Sequence, residues 1–253
     1  MNITANYHTH TYRCKHAFGE DREYVETAIA AGIKTLGFSD HCPWIYPDGY
    51  VSGIRMEPHE IDGYFFSLEN LRKEYSSDIK ILIGFESEYI PELIEEQDKL
   101  YSEYPLDYMI LGQHFMGHEG HSQYSGSPTT DERFLKAYVD SIIEGMESGR
   151  YLYVAHPDLI NFKGAVEIYN KHMSRLCIYL KEKNIPIEIN MLGAYQNKHY
   201  PLPAFLSLAY KHKNSCIIGI DAHIPEQLNN DEGNKLCTQI IEKYKLEYIE
   251  KLL

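Results

Sequence analysis

At 253 residues, with 43% hydrophobic and 24% charged side chains, the chain can bury a full core without disulfide staples. Its 37 acidic against 24 basic residues give a formal charge of −13, a field that repels long nucleic acids and anionic membranes. No apolar run approaches the roughly 18 residues of a membrane helix, and MNITANYHTH has neither a basic nor an apolar leader segment. Five cysteines without a CxxC pair read as reduced thiols, so the expectation is a cytoplasmic protein acting on a small molecule.

In chain order, β-rich apolar runs alternate with helical patterns. A strand is expected over 3–10, followed by a helix with Tyr24, Val25, Ala28 and Ile29 on one face and a stop at Gly32. A strand over 35–41 precedes a helix carrying Ile61, Phe65, Leu68, Leu71 and Tyr75. Strand 79–87 leads to helix 91–103, and strand 106–114 to a helix carrying Leu135, Tyr138, Val139, Ile142 and Met146. Strands 151–157, 185–192 and 216–223 are followed by helices over 165–183, 203–213 and 232–250. Strictly alternating strand–helix units predict an α/β fold with a parallel sheet, because parallel neighbours need crossovers. An open doubly wound sheet would carry a Gly-rich phosphate turn after its first strand, and none is present. A closed barrel is therefore expected, as one domain over residues 1–253. The long irregular stretches 42–57 and 116–130 fall where barrel active-site loops sit.

Metal-capable side chains recur at the ends of these strands. His8 and His10 end the first strand, with His16 just beyond, and Asp40-His41 end the second. Glu86 ends the third, His114 the fourth, His156 the fifth, and Asp221 and His223 the last. Residues i and i+2 of a strand share a side, so each HxH or DxH pair can grip one ion, and barrel closure brings all the pairs to one mouth. Any one of these residues alone reads as a hydrogen-bonded rim group, a buried ion-pair partner or a helix cap. Six strands delivering such residues to one rim point to metal or catalysis, and mixed imidazole and carboxylate ligands suit zinc, iron or manganese. His59, His172 and His212 fall on helical stretches and read as solvated, while His118, His121 and His199 lie in loops near the rim. Cys14 and Cys42 read as packing residues.

HTHTYRCKH at 8–16, FSDH at 38–41, GFESEY at 84–89, GQHF at 112–115, AHPD at 155–158, EIN at 188–190 and GIDAH at 219–223 resemble the polymerase-and-histidinol-phosphatase (PHP) family. The likeness is closest to its monofunctional histidinol-phosphatase branch and runs the length of the chain. It implies a distorted (β/α)7 barrel with three divalent metal ions. By that resemblance His8, His10, Glu86 and Asp221 hold the first ion, Glu86, His114 and His156 the second, and His16, His41 and His223 the third. The implied reaction is hydrolysis of L-histidinol phosphate in histidine biosynthesis. Rival readings are a phosphatase for another small phosphate ester, phosphotyrosine or short oligonucleotides, and a non-catalytic metal-binding module. Arg13, Lys15 and Lys163 are candidates for phosphate contact or plain solvated charges. Asn190 is a candidate substrate contact, and Asp158 and His199 are candidate proton donors. Asp40 either orients a neighbouring ligand or caps its loop.

Overall fold

The computed structural model describes residues 2–253. Its regular elements are β1 (Ala5–Asn6), α1 (Asp21–Ala30), β2 (Thr35–His41), α2 (Ile61–Glu74), β3 (Lys80–Ser87), α3 (Ile94–Tyr101), β4 (Tyr108–Leu111) and α4 (Glu132–Glu147). They continue with α5 (Val166–Glu182), β5 (Ile187–Asn190), α6 (Met191–Tyr195), α7 (Pro203–His212), β6 (Ser215–Gly219), α8 (Asp231–Tyr244) and β7 (Glu247–Tyr248). Local chemistry sets several boundaries. Glu20 and Glu23 form a capping box at the start of α1, and Asp131 and Asn230 accept backbone N–H groups at the starts of α4 and α8. Gly32, at φ 82°, turns the chain after α1.

The sheet runs β1-β2-β3-β4 in one parallel ladder and β5-β6-β7 in another. Val154 joins them, bridging Leu111 on one side and Ile187 on the other, and the Thr9–Ala222 bridge closes the circle. The result is a distorted (β/α)7 barrel. The fifth expected strand, 151–157, is reduced to that single bridging residue. His156 takes a left-handed φ of 31° and Pro157 has no N–H, so the ladder stops there. The last helix also ends earlier than its apolar period suggests: Lys245 turns left-handed at φ 51°, and the following residues pair with β6 as β7.

Alternate residues face inward. Ala5, Tyr7, Leu82, Tyr108, Ile110, Tyr153, Ala155 and Ile217 fill the lower interior, while a larger apolar layer lies between barrel and helices. The C-terminal segment closes the floor, where the Tyr7 hydroxyl accepts from the Leu252 and Leu253 N–H groups. Higher up, glycine makes room for charge: a methyl group at Gly112 would overlap the Glu86 carboxylate, and one at Gly219 the Glu188 carboxylate. The upper interior is thereby left for buried acids.

Candidate active site

Glu86 stands at the centre of the barrel mouth, 1% exposed. Its oxygens lie 2.8 Å from His156 Nε2, 3.0 Å from His41 Nδ1, and 3.6 Å from Nε2 of each of His8, His10 and His114. Asp221 Oδ1 is 3.2 Å from His10 Nε2 and 3.5 Å from His8 Nε2. The His16 and His223 rings meet at a tilt on the outer side, with centroids 4.8 Å apart. All nine residues expected at a metal centre therefore converge on one mouth. Donor atoms within 4.8 Å of one another form the groups His8/His10/Asp221, His8/Glu86/His156, His10/His41/Glu86 and His16/His41/His223. Two of the nine carry left-handed backbone, His156 and Asp221 at φ 58°. Such conformations cost about 1–3 kcal/mol each and cluster where a side chain must be aimed.

The protons on these rings can be placed. His16 Nδ1 lies 2.7 Å from the Cys14 carbonyl and His223 Nδ1 lies 3.0 Å from the Asp221 carbonyl. A carbonyl only accepts, so both Nδ1 atoms carry the hydrogen and both Nε2 atoms present lone pairs. Those two lone pairs face one another at 3.1 Å. A proton between them is opposed by the surroundings: burial and the charge of His10 lower the pKa of His16, and lower that of His223 to about 3. A cation is the remaining way to reconcile them. The same conflict recurs deeper in, where His8 Nε2, both His10 nitrogens and both Glu86 oxygens are buried without a hydrogen-bond partner. Leaving each such group unsatisfied costs about 1–3 kcal/mol, and the nitrogen and oxygen donors fit divalent ions.

A layer of carboxylates stands behind the rings. Glu188 takes His8 Nδ1 at 3.0 Å, Glu88 lies 3.3 Å from His114 Nδ1, and Asp40 lies 3.6 Å from His10 Nδ1. Asp40 lies beside the His10 ring without bonding it; its oxygens accept the Thr11 hydroxyl and the His41 backbone N–H, so it caps its own loop. Glu88 is itself held by fully buried Arg55, which reaches on to Glu119. Burial alone would raise the pKa of Glu86, yet the charges of His114, His8 and His41 hold it well below the usual carboxylate range. Asp221 is held down in the same way by His8, His10 and His223. Burial would lower His8 and His10, but Asp221 and its neighbouring acids raise both.

A cavity of about 520 Å³ opens over the cluster, lined on its far walls by Ile54, Phe115, Tyr124, Leu192, Gln196, Lys198, Tyr200 and Gln227. None of the expected substrate residues is among its lining. Arg13 is buried in a two-pronged pair with Asp21, Lys15 bonds the Ser52 carbonyl and Glu57, and Lys163 is exposed outside the lining. Asn190 works from below: its Nδ2 donates to Glu188 and Asp221 while its Oδ1 caps α6. The expected proton donors also turn away. Asp158 accepts from Leu202 N–H, its pKa pushed up to about 7 by burial, and His199 donates to the Leu159 carbonyl. Asp158→Asn should therefore leave the pH–rate profile of turnover unchanged, measured as kcat from pH 5.5 to 9; loss of one limb would restore it as the acid.

His172 is a further correction, 2% exposed against Glu132 instead of solvated. His118 and His121 both reach the Asp48 carboxylate. Gly120 N–H donates to His118 Nδ1, so its Nε2 holds the proton and the trio pins a loop. Cys14 is buried as expected, but its sulfur lies in a group with His10 and His223. Glu88 and Glu188 were legible in principle, since the first is i+2 from Glu86 and the second breaks an apolar strand. Lys198 and Arg55 had no such signal.

The chain is similar to named proteins over most of its length. A protein of Deinococcus radiodurans described as a probable histidinol-phosphatase is 26% identical over 227 residues, covering 87% of this chain and 86% of its own. The Bacillus subtilis histidinol-phosphatase is 23% identical, over 85% and 92%. The crystal structure of histidinol phosphate phosphatase from Lactococcus lactis, complexed with zinc, L-histidinol and phosphate, superposes with a TM-score of 0.72 at 18% identity, over 98% and 95% of the two chains. The family model for the PHP domain matches residues 6–191, a stretch holding seven of the nine clustered side chains, and by that match the chain belongs to the PHP domain family.

Proposed function

We propose that this protein is a metal-dependent phosphomonoesterase that hydrolyses L-histidinol phosphate to L-histidinol and phosphate. In this reading three divalent ions, of zinc, iron or manganese, are held by His8, His10, His16, His41, Glu86, His114, His156, Asp221 and His223. The observation that carries it is the facing pair of lone pairs on His16 and His223 beside a centrally buried, unpartnered Glu86. Substrate class follows from the relatives' names and from a cavity whose size suits a small metabolite. Among the described residues no helix is long and apolar enough to cross a membrane.

Divalent cations at such a site supply Lewis acidity, drawing charge from phosphoryl oxygens and making a nucleophilic water acidic near neutral pH. The chain's own residues do the rest. Glu188 and Glu88 keep the proton on Nδ1 of His8 and His114 and so leave Nε2 free. Lys198, among the described residues the one cationic side chain of the lining apart from imidazoles, draws the phosphate to the cavity and offsets its charge. Phe115, Tyr124, Ile54 and Leu192 exclude water around the departing alcohol.

Phosphate release over a panel of histidinol phosphate, phosphotyrosine and a short oligonucleotide, after reconstitution with manganese, iron or zinc, tests the reading. A specificity constant on histidinol phosphate below about 10³ M⁻¹s⁻¹ would remove it as the substrate. Lys198→Met should raise KM for the phosphate ester about 10- to 100-fold, the loss of one charge-assisted hydrogen bond, with a smaller change in kcat. An unchanged KM in steady-state assays would put Lys198 outside the phosphate site.

A further inference from the structure

We propose that Gln227 is a phosphoryl-binding residue whose amide NH2 donates to the anion while its oxygen holds His223 in place; this rests on the phosphatase reading. Gln227 lies in the turn after β6 and lines the cavity beside His16 and His223. Its Oε1 accepts from His223 N–H at 2.6 Å and from Ile224 N–H at 3.2 Å. Backbone N–H groups can only donate, so these two bonds settle which end of the amide faces the turn. The other end is Nε2, with two hydrogens and no acceptor. No hydrogen bond among the described residues uses it, whereas Oε1 is shared twice.

A group that only donates, placed at the rim of a cavity, selects for acceptors. The carboxylates of the lining, Glu86 and Asp221, lie on the floor among His8, His10, His41, His114 and His156, where the proposed site would direct their oxygens at cations rather than at the rim. An ammonium or imidazolium offers only hydrogens and gains nothing from Nε2. A phosphoryl oxygen carries lone pairs and charge, and donors to charged acceptors form the stronger class of hydrogen bond. Lys198 lines the same cavity, so the anion would meet a cation and a neutral donor as well as the cluster beneath. The two functions of the amide are linked, because the backbone that Oε1 holds carries the His223 ring. Pro225 lies within the turn and has no N–H, so the Oε1 bonds fall on residues 223 and 224.

Gln227→Glu separates the two roles. The carboxylate can accept both backbone N–H groups as Oε1 does, but it has no hydrogen to give. Binding of inorganic phosphate to the zinc-loaded protein, measured by competitive inhibition and calorimetry, should weaken at least tenfold in Q227E. KM for the phosphate ester should rise in parallel, with zinc content and Tm as in the parent chain. A zinc-replete Q227E that binds phosphate within twofold of the parent overturns the proposal. If Q227E loses zinc or fails to fold, the parent protein decides: its Gln227 side-chain NH2 resonances should shift on titration with phosphate, and resonances that stay put overturn the proposal. A parent chain that hydrolyses no phosphate ester and binds no phosphate would sink the phosphatase reading instead.

Discussion

Glu86→Gln should lower kcat by about 10³-fold or more and release metal, measured by steady-state phosphate release together with elemental analysis of the same sample. The argument is geometric. One carboxylate lies within 3.6 Å of nitrogens from five histidines on four different segments, and both its oxygens lack hydrogen-bond partners. Glutamine has the same shape, so the barrel interior and the space left by Gly112 are preserved. What changes is one charge and one lone-pair-bearing oxygen, replaced by an NH2 that points hydrogens at imidazole nitrogens and at any cation. The substitution therefore removes the negative centre around which the cluster is arranged without opening a cavity. Full activity with undiminished metal content in E86Q would mean that the carboxylate is a structural ion-pair partner and the ions, if present, lie elsewhere. Circular dichroism and Tm on the same preparation separate loss of the site from loss of the fold.

How far the chain could be read before its structure depends on the range of the physics involved. The clustering of the strand-end histidines and acids was legible because side-chain direction repeats every two residues and because closure of a barrel sends every strand end to one rim. His8 and His10, or Asp221 and His223, announce themselves that way. The strand at 151–157 was not legible as a single bridge, since its apolar pattern is that of a strand while its hydrogen bonding is cut short by His156 and Pro157. The run beyond Tyr244 keeps an apolar spacing that fits helix, yet the left-handed Lys245 diverts it to the edge of β6. Residues behind or above the cluster follow a different rule. Arg55 reaches Glu88 across 33 positions, and Lys198 enters the cavity only because α6 and the turn after it fold back over the mouth. Neither leaves a local pattern. Arg13 and Lys15 illustrate the converse: charges next to ligands in sequence, but paired with Asp21 and Glu57 in space.

Acid should empty the site, and in a definite order. Protons and metal ions compete for the same nitrogens, so the charge state of the metal-free rings sets the pH dependence of uptake. Burial works against protonation of His8, His10 and His114, but the surrounding acids, Asp221 and Glu86 foremost, raise all three. Each must therefore shed a proton to accept an ion, and apparent affinity falls about tenfold per pH unit for every proton displaced. His16, His41 and His223 are lowered, by burial and by the charge of His10, so they keep free nitrogens to lower pH. Glu86 and Asp221 are depressed and stay ionised through pH 5. The linkage has the same sign in stability. The raised imidazoles stabilise the metal-free protein fully below about pH 6.5 and lose that contribution as pH rises through their folded pKa, while ion binding strengthens over the same range. The rise in Tm produced by added zinc should accordingly grow from pH 5 to pH 8. Dialysis over that range with metal analysis should show the ions around Glu86 and Asp221 leaving first on acidification, with the remainder sensitive to His16→Ala. Equal metal content and equal activity at pH 5 and pH 8 would show that protons and ions do not share these nitrogens, and the assignment of the cluster as a metal centre would fall with it.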